Sequence, residues 1–419
     1  MTLPSSPANS CGRFLTGLGL AAALAVIFCE RAAQAQQPVA SFYYDEKGKV
    51  VRQARDTNGD GKMDRWTYYD AQGQIERIEQ DVNFDGKPDI FVYYENGKPR
   101  RQEIASKNDG QIDSWIFLDA QGEIERKGQD PNRTGKPTVW ISYQNGQPIR
   151  SEEDTRGSGS SNRVVQYRDG KISRIDEDTN GDGKPDSFSY YENGQLVRKE
   201  LDRKFNGKID LWGYYSEGRL VKQEEDLRGD GKVGRTVYFR GDEVIRREED
   251  SAGRGRIDLI ESFYQGRLDR RIRDTKGSGQ WDTLYFYREN ELVREERDTD
   301  GDGYFDLRFW YVNGKVARQE ADTNKDRRVD VWVRFENGEQ VEQLEDQKFS
   351  GKITARYAFK GGQVVAQEEL AGMDPPEAPL PFTSVESELR TFATPASQVS
   401  SSSARPIANA GLLAGTEVK

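Results

Sequence analysis

Short runs rich in Tyr, Trp, Phe, Val and Leu alternate along the chain with polar clusters of Asp, Asn and Gly, and the alternation repeats every 24 or 25 residues. A fixed period of this size marks a repeat architecture. The unit at Asp178 gives the grammar: 178–186 is a polar loop, 187–191 a strand, Asn193-Gly194 a turn and 195–201 a second strand. Asn-Gly between two β-rich runs predicts a tight hairpin, since both turn positions need φ > 0. The same dipeptide recurs at Asn96-Gly97, Asn145-Gly146, Asn313-Gly314 and Asn337-Gly338. Thirteen loops in this register run from the one at Asp56 to the one at Asp346, and a leading hairpin spans 42–55. The 25-residue steps carry a turn longer by one residue, 70–73 and 119–122.

Simple pairing across Asn193-Gly194 places Tyr191 opposite Leu196 and Tyr190 opposite Val197, with Phe188 on the Tyr190 face. The other face then carries Tyr191, Leu196, Arg198 and Glu200. On this pattern one face is apolar and aromatic, and the other carries an Arg/Glu lattice. Those aromatics suit core packing and cross-strand ladders, or a platform for a glycan. Fourteen hairpins give about 28 strands, on the order of 130 Å of sheet at 4.8 Å per strand. Open sheets rarely exceed about ten strands without curling. The expected fold is all-β: tandem 24-residue antiparallel β-hairpin repeats forming an elongated, twisted or spiralled β-meander, a solenoid-like ribbon or shell. Two repeats per blade would also build a propeller. Neither face is the uninterrupted apolar band of a membrane barrel.

Composition narrows the function classes. The 419-residue chain is 32% charged and 34% hydrophobic with a net charge of -10. That balance does not suit a thick core or a nucleic-acid partner. Residues 1–35 have the form of a secretory signal peptide: Arg13, an apolar run over 14–28, and Ala33-Gln34-Ala35 as the cleavage site. The apolar run falls short of the roughly 20 residues of a membrane span. A lipoprotein site at Cys29 would follow Phe28, where a small residue is expected. Cleavage before Gln36 would remove both cysteines, Cys11 and Cys29, and the chain has no histidine. Residues 41–370 form the repeat array. Residues 371–419, rich in Pro, Ser and Ala, are expected to be a disordered extension.

The loops carry the candidate chemistry. Oxygen-bearing side chains at loop positions 1, 3, 5 and 9, with Gly at 6, match a calcium loop, since calcium takes 6–8 oxygen ligands and Gly permits the bend. Complete sets are Asp56, Asn58, Asp60, Asp64; Asp81, Asn83, Asp85, Asp89; Asp178, Asn180, Asp182, Asp186; and Asp298, Asp300, Asp302, Asp306. The set Asp322, Asn324, Asp326, Asp330 has Arg327 in place of Gly. Lys204, Arg228 and Lys276 at position 3, and Ser158 and Ser278 at position 5, mark loops that have lost the site. The bland reading is a series of Asx turns without metal. The sharper one is several weak structural Ca2+ sites.

These nine residues resemble the calcium loops of EF-hands, dockerins and thrombospondin type 3 repeats, without the position-12 Glu and with strands as flanks. The segments 69–75 and 190–196 resemble the YD repeats of Rhs and teneurin-type shells and the variant MORN-type repeats of bacterial exported proteins. The resemblance implies architecture and leaves activity open. Without His, and with no Cys after the leader, Ser-His, Cys-His and His-metal sites are impossible. Carboxylate pairs would suit a glycan hydrolase, yet every acidic cluster repeats in register. The expectation is therefore a non-enzymatic, exported protein (periplasmic, outer-surface or secreted). It would act as a scaffold or adhesion module for a protein or polysaccharide at the cell envelope. A shell or spacer that encloses or presents a partner is the alternative.

Overall fold

The computed structural model describes residues 39–376 and 381–392; the predicted leader and residues 393–419 lie outside the described residues. The chain divides into two compact units, Met1–Val233 and Gly234–Lys419. Among the described residues the first carries sixteen strands, from Ala40–Tyr44 to Arg219–Glu225. The second carries twelve, from Arg235–Arg240 to Gln363–Met373, and then one helix, Val385–Phe392. Within each unit the strands pair antiparallel with their sequence neighbours. Ser187–Glu192 pairs with Gln195–Leu201 inside a hairpin, and Gln195–Leu201 pairs with Leu211–Ser216 between hairpins. Apart from the helix the described residues are all-β, a meander of tandem antiparallel hairpins.

The turns form as their sequence requires. Asn193 and Gly194 hold φ of 50° and 82°, the paired left-handed geometry that matches the strand twist. The register departs from simple pairing in one respect. Glu192 faces Gln195 and Tyr191 faces Leu196, but Tyr190 faces Arg198, because the ladder skips Val197. A bulged residue of this kind shifts every later side chain to the other face and increases local twist. Arg198 and Glu200 therefore share the face of Tyr190 and Phe188, and the expectation that they lie on the opposite, mixed face with Tyr191 and Leu196 is corrected. The same bulge follows Tyr214, Tyr238 and Phe286.

Two parallel rows result. In the first unit Arg174, Tyr190, Arg198, Tyr214 and Lys222 face one another in turn across five strands. Two residues along lie Asp176, Phe188, Glu200, Trp212 and Glu224. In the second unit the latter row turns apolar, reading Glu248, Ile260, Ile272, Leu284, Glu296 and Arg308. Ile260, Ile272, Leu284, Trp332 and Leu344 are buried there because a chain segment covers them.

That segment corrects the expectation for the tail. Residues 371–373 belong to the last strand, and 381–392 dock on the second unit. Phe382, Val385 and Phe392 enter the core, and Leu389 packs beside them. Val385, Leu389 and Phe392 lie one helical turn apart, and the Ser384 hydroxyl caps the helix by accepting the Ser387 N–H at 3.1 Å. Two backbone bonds fix the entry: Phe305 N–H to Thr383 O (3.2 Å) and Val385 N–H to Gly303 O (2.9 Å). Arg308, 2% exposed, reaches Glu296 at 2.7 Å and Glu320 at 3.2 Å, and its guanidinium lies over the Phe382 ring at 4.5 Å. Phe382→Ala should thus destabilise the second unit by about 3–5 kcal/mol. Urea unfolding followed by tryptophan emission, to which buried Trp332 contributes, measures the loss. A change well under about 1 kcal/mol would mean the segment adds nothing to the core.

Candidate metal-binding loops and the cation–aromatic rows

Most loops are built around two carboxylates, at positions 1 and 9, and in the Asp178 loop both are buried. In the Asp178 loop the position-1 carboxylate accepts the N–H groups of Gly181 (2.6 Å) and Gly183 (2.8 Å). The position-9 carboxylate of Asp186 accepts Thr179 N–H at 2.8 Å and the Thr179 hydroxyl at 2.6 Å. Their main chains also continue the sheet ladder. Asp186 N–H donates to Glu177 O, and Asp202 N–H, at the head of the next loop, donates to Asp186 O. Positions 3 and 5 lie outside. Asn180 Oδ1 accepts Asp182 N–H (2.9 Å), Asp182 Oδ1 accepts Lys184 N–H (2.8 Å), and Asn180 Nδ2 donates to Asp182 (3.0 Å). The loop of Asp56, Asn58, Asp60 and Asp64 repeats this arrangement. The hydroxyl at position 2 was not singled out in the sequence, although the recurring Asp-Thr dipeptide carried it.

The remaining loops vary the scheme. In the Asp322, Asn324, Asp326, Asp330 set, Lys325 and Arg327 take φ of 68° and 70°, Arg327 at the position that is Gly in the other loops. Arg327 N–H still donates to Asp322 (2.6 Å). In the Asp81, Asn83, Asp85, Asp89 set, position 2 is Val82, which has no hydroxyl. Asp89 is fully buried and its Oδ1 has no hydrogen-bond partner. The side-chain bond from Asn83 and the N–H of Lys87 hold the Asp85 carboxyl below its usual range.

Among the described residues, one group of three carboxylates closes to within 4.8 Å: Asp298, Asp300 and Asp306. Asp302, at position 5, stands apart from it and accepts Tyr304 N–H at 2.8 Å. Burial pushes the Asp306 carboxyl up, more than its bonds from Thr299 bring it down. Lys325, reaching over from the next loop, pairs with Asp300 at 2.5 Å and holds its carboxyl down. One carboxylate oxygen from each of Asp298, Asp300 and Asp306 thus lies within 4.8 Å of the others.

Where the ligands are lost, a basic side chain spans to the neighbouring loop instead. Lys276 Nζ donates to the carbonyls of Asp298 (3.2 Å) and Thr299 (3.0 Å). Arg256 reaches Asp274 (2.9 Å) and Gly277 O, and Arg156 reaches Thr179 O. Arg133 pairs with Asp109 and lowers that carboxyl to about 2.

The cation–aromatic rows close on themselves. Arg77 lies over the Tyr68 ring at 4.3 Å, Arg101 over Tyr93 at 4.0 Å and Lys222 over Tyr214 at 4.0 Å. The ring hydroxyls donate onward, Tyr68 to Glu79 (3.0 Å), Tyr190 to Glu200 (2.8 Å) and Tyr214 to Glu224 (2.8 Å). Burial, with that bond to Glu224, pushes the Tyr214 hydroxyl up to about 12. One face of the Tyr68, Tyr93 and Tyr214 rings is taken by a cation, which favours the packing reading of these three over a stacking platform for sugars.

The buried position-1 carboxylates should matter with or without metal. Asp202, in a loop with Lys204 at position 3, accepts Gly207 N–H at 2.6 Å and Asn206 N–H at 3.2 Å. Asp202→Ala should cost about 1–3 kcal/mol, since it leaves those N–H groups without their acceptor. Urea unfolding with calcium and with chelator should give the same loss in both.

No protein-family model matches the chain, and no curated protein matches it. Solved structures similar to it include "Crystal Structure of TcdB2-TccC3-Cdc42", at 12% identity over 76% of this chain with a TM-score of 0.15. "Crystal Structure of TcdB2-TccC3" is similar at 14% identity over 76% of this chain with a TM-score of 0.14. The chain spans 24% of the length of each of those chains. At these values the likeness carries no functional inference.

Proposed function

We propose that this chain is an exported, non-enzymatic scaffold or binding protein of the cell envelope whose Asp-rich loops take up calcium. The observation that carries the ion is the convergence of Asp298, Asp300 and Asp306, in which three carboxylates lie within reach of one centre. The ligands would be Asp298, Asp300 and Asp306, completed by loop carbonyls and water. The loops at Asp56, Asp81, Asp178 and Asp322 would take ions in the same way. Calcium there would neutralise carboxylates that otherwise repel one another and would stiffen the loop ends. The complete absence of histidine supports a non-enzymatic role.

A polypeptide is favoured as partner over a polysaccharide, because the second unit already holds the segment 381–392 through apolar and arginine contacts. Such a long repeated face suits several weak contacts acting together.

Thermal unfolding with calcium and with chelator tests the ion. Calcium in 100-fold excess over Kd should stabilise by about 2.7 kcal/mol for each independent site. Asp300→Ala with Asp302→Ala, both outside the buried carboxylate pair, should reduce the calcium-induced rise and leave the metal-free midpoint near its original value. An identical midpoint with and without chelator would remove calcium from the account.

A further inference from the structure

The array leaves two strands paired on one side only. Among the described residues Ala40–Tyr44 pairs only with Val50–Arg55, and Gln363–Met373 pairs only with Ile353–Lys360. An open edge presents unpaired N–H and C=O groups and is usually guarded by shortness, Lys or Pro. The last strand has 11 residues and contains neither Lys, Arg nor Pro, and Val364 and Val365 on it are 52% and 61% exposed. The first strand carries no charge and exposes Phe42, Tyr43 and Tyr44.

The two edges are complementary halves of a junction that the chain already makes repeatedly. Between hairpins, the second strand of one meets the first strand of the next through four pairs, as in Arg198 with Tyr214, Lys199 with Gly213, Glu200 with Trp212 and Leu201 with Leu211. Ala366 occupies the place of Arg198, because it faces Ala358 as Arg198 faces Tyr190. Tyr43 occupies the place of Tyr214, because it faces Arg52 as Tyr214 faces Lys222. From this we propose that copies of the chain join head to tail, the last strand of one pairing antiparallel with the first strand of the next.

The repeat fixes the register: Ala366 faces Tyr43 of the next copy, Gln367 faces Phe42, Glu368 faces Ser41 and Glu369 faces Ala40. Charge selects this arrangement over a symmetric one. Two last strands side by side would bring Glu368 and Glu369 of both copies together, whereas the first strand is neutral. The contact is heterologous, so it builds a ring if the rotation closes and a filament if it does not. It is independent of whether the loops bind calcium.

Cross-linking tests it in the full chain carrying Cys11→Ala and Cys29→Ala, so that no other thiol is present. One preparation carries Tyr43→Cys and another Ala366→Cys, both at exposed positions. After oxidation the mixture should give a disulfide-linked dimer, while each variant alone and a mixture using Gln363→Cys, three residues away along the strand, should not. Sedimentation of the unsubstituted chain should show a mass that rises above the monomer with concentration. Cross-linked dimers from a single variant would overturn the proposal in favour of symmetric edges. A monomeric mass at all concentrations, or oligomers whose mixture fails to cross-link, would overturn it as well.

Discussion

The repeat depends on buried aspartates at the ends of most of its loops, since they allow a sharp polar connection to sit inside a continuous sheet. A loop between neighbouring strands leaves several backbone N–H groups without ladder partners, and a buried unpaired donor is costly. The position-1 carboxylate takes two of these N–H groups, and the position-9 carboxylate takes a third together with the position-2 hydroxyl. The same aspartates hand the main-chain ladder from loop to loop, as Asp202 does to Asp186. Burial of acids is thereby tied to the loop fold itself, while the one cluster of three carboxylates among the described residues adds a position-3 acid, Asp300, to the position-1 and position-9 pair.

That division explains how loops without metal ligands persist. A cation between adjacent loops can be a side chain: Lys276 caps carbonyls of the next loop, and Arg133 neutralises Asp109. Exposed pairs of this kind contribute little each, but they remove like-charge repulsion in a chain with net charge -10. The Asp298 loop shows both solutions at once, with three carboxylates converging and Lys325 already on Asp300.

The two units use the same rows for different ends. In the first, Tyr, Trp and Phe alternate with Arg, Lys and Glu, and ring hydroxyls such as those of Tyr68 and Tyr190 bond to a Glu of the neighbouring row. In the second, Ile272 stands where Glu200 and Glu224 stand in the first, and Leu284 where Trp212 stands. A row that lost its polar partners would expose apolar surface, and the segment 381–392 covers it.

The sequence by itself determined the period, the hairpins, the turn geometry and the loop boundaries, because each rests on contacts within a few residues: Asn-Gly at φ > 0, Asx bonds, alternation along a strand. It also marked the aspartates of the five candidate sets, though not which were buried. Three things were left to tertiary structure. The bulge at Val197 moved Arg198 and Glu200 onto the aromatic face, because the ladder skips one residue there and the alternation beyond it is reversed. The convergence of Asp298, Asp300 and Asp306, without Asp302, followed from how the loop backbone spends its N–H groups. Helix docking in the Pro/Ser/Ala-rich tail was hidden because Val385, Leu389 and Phe392 make too short a stripe to be distinctive alone. Only the apolar row awaiting it across the second unit gives that stripe a place to go.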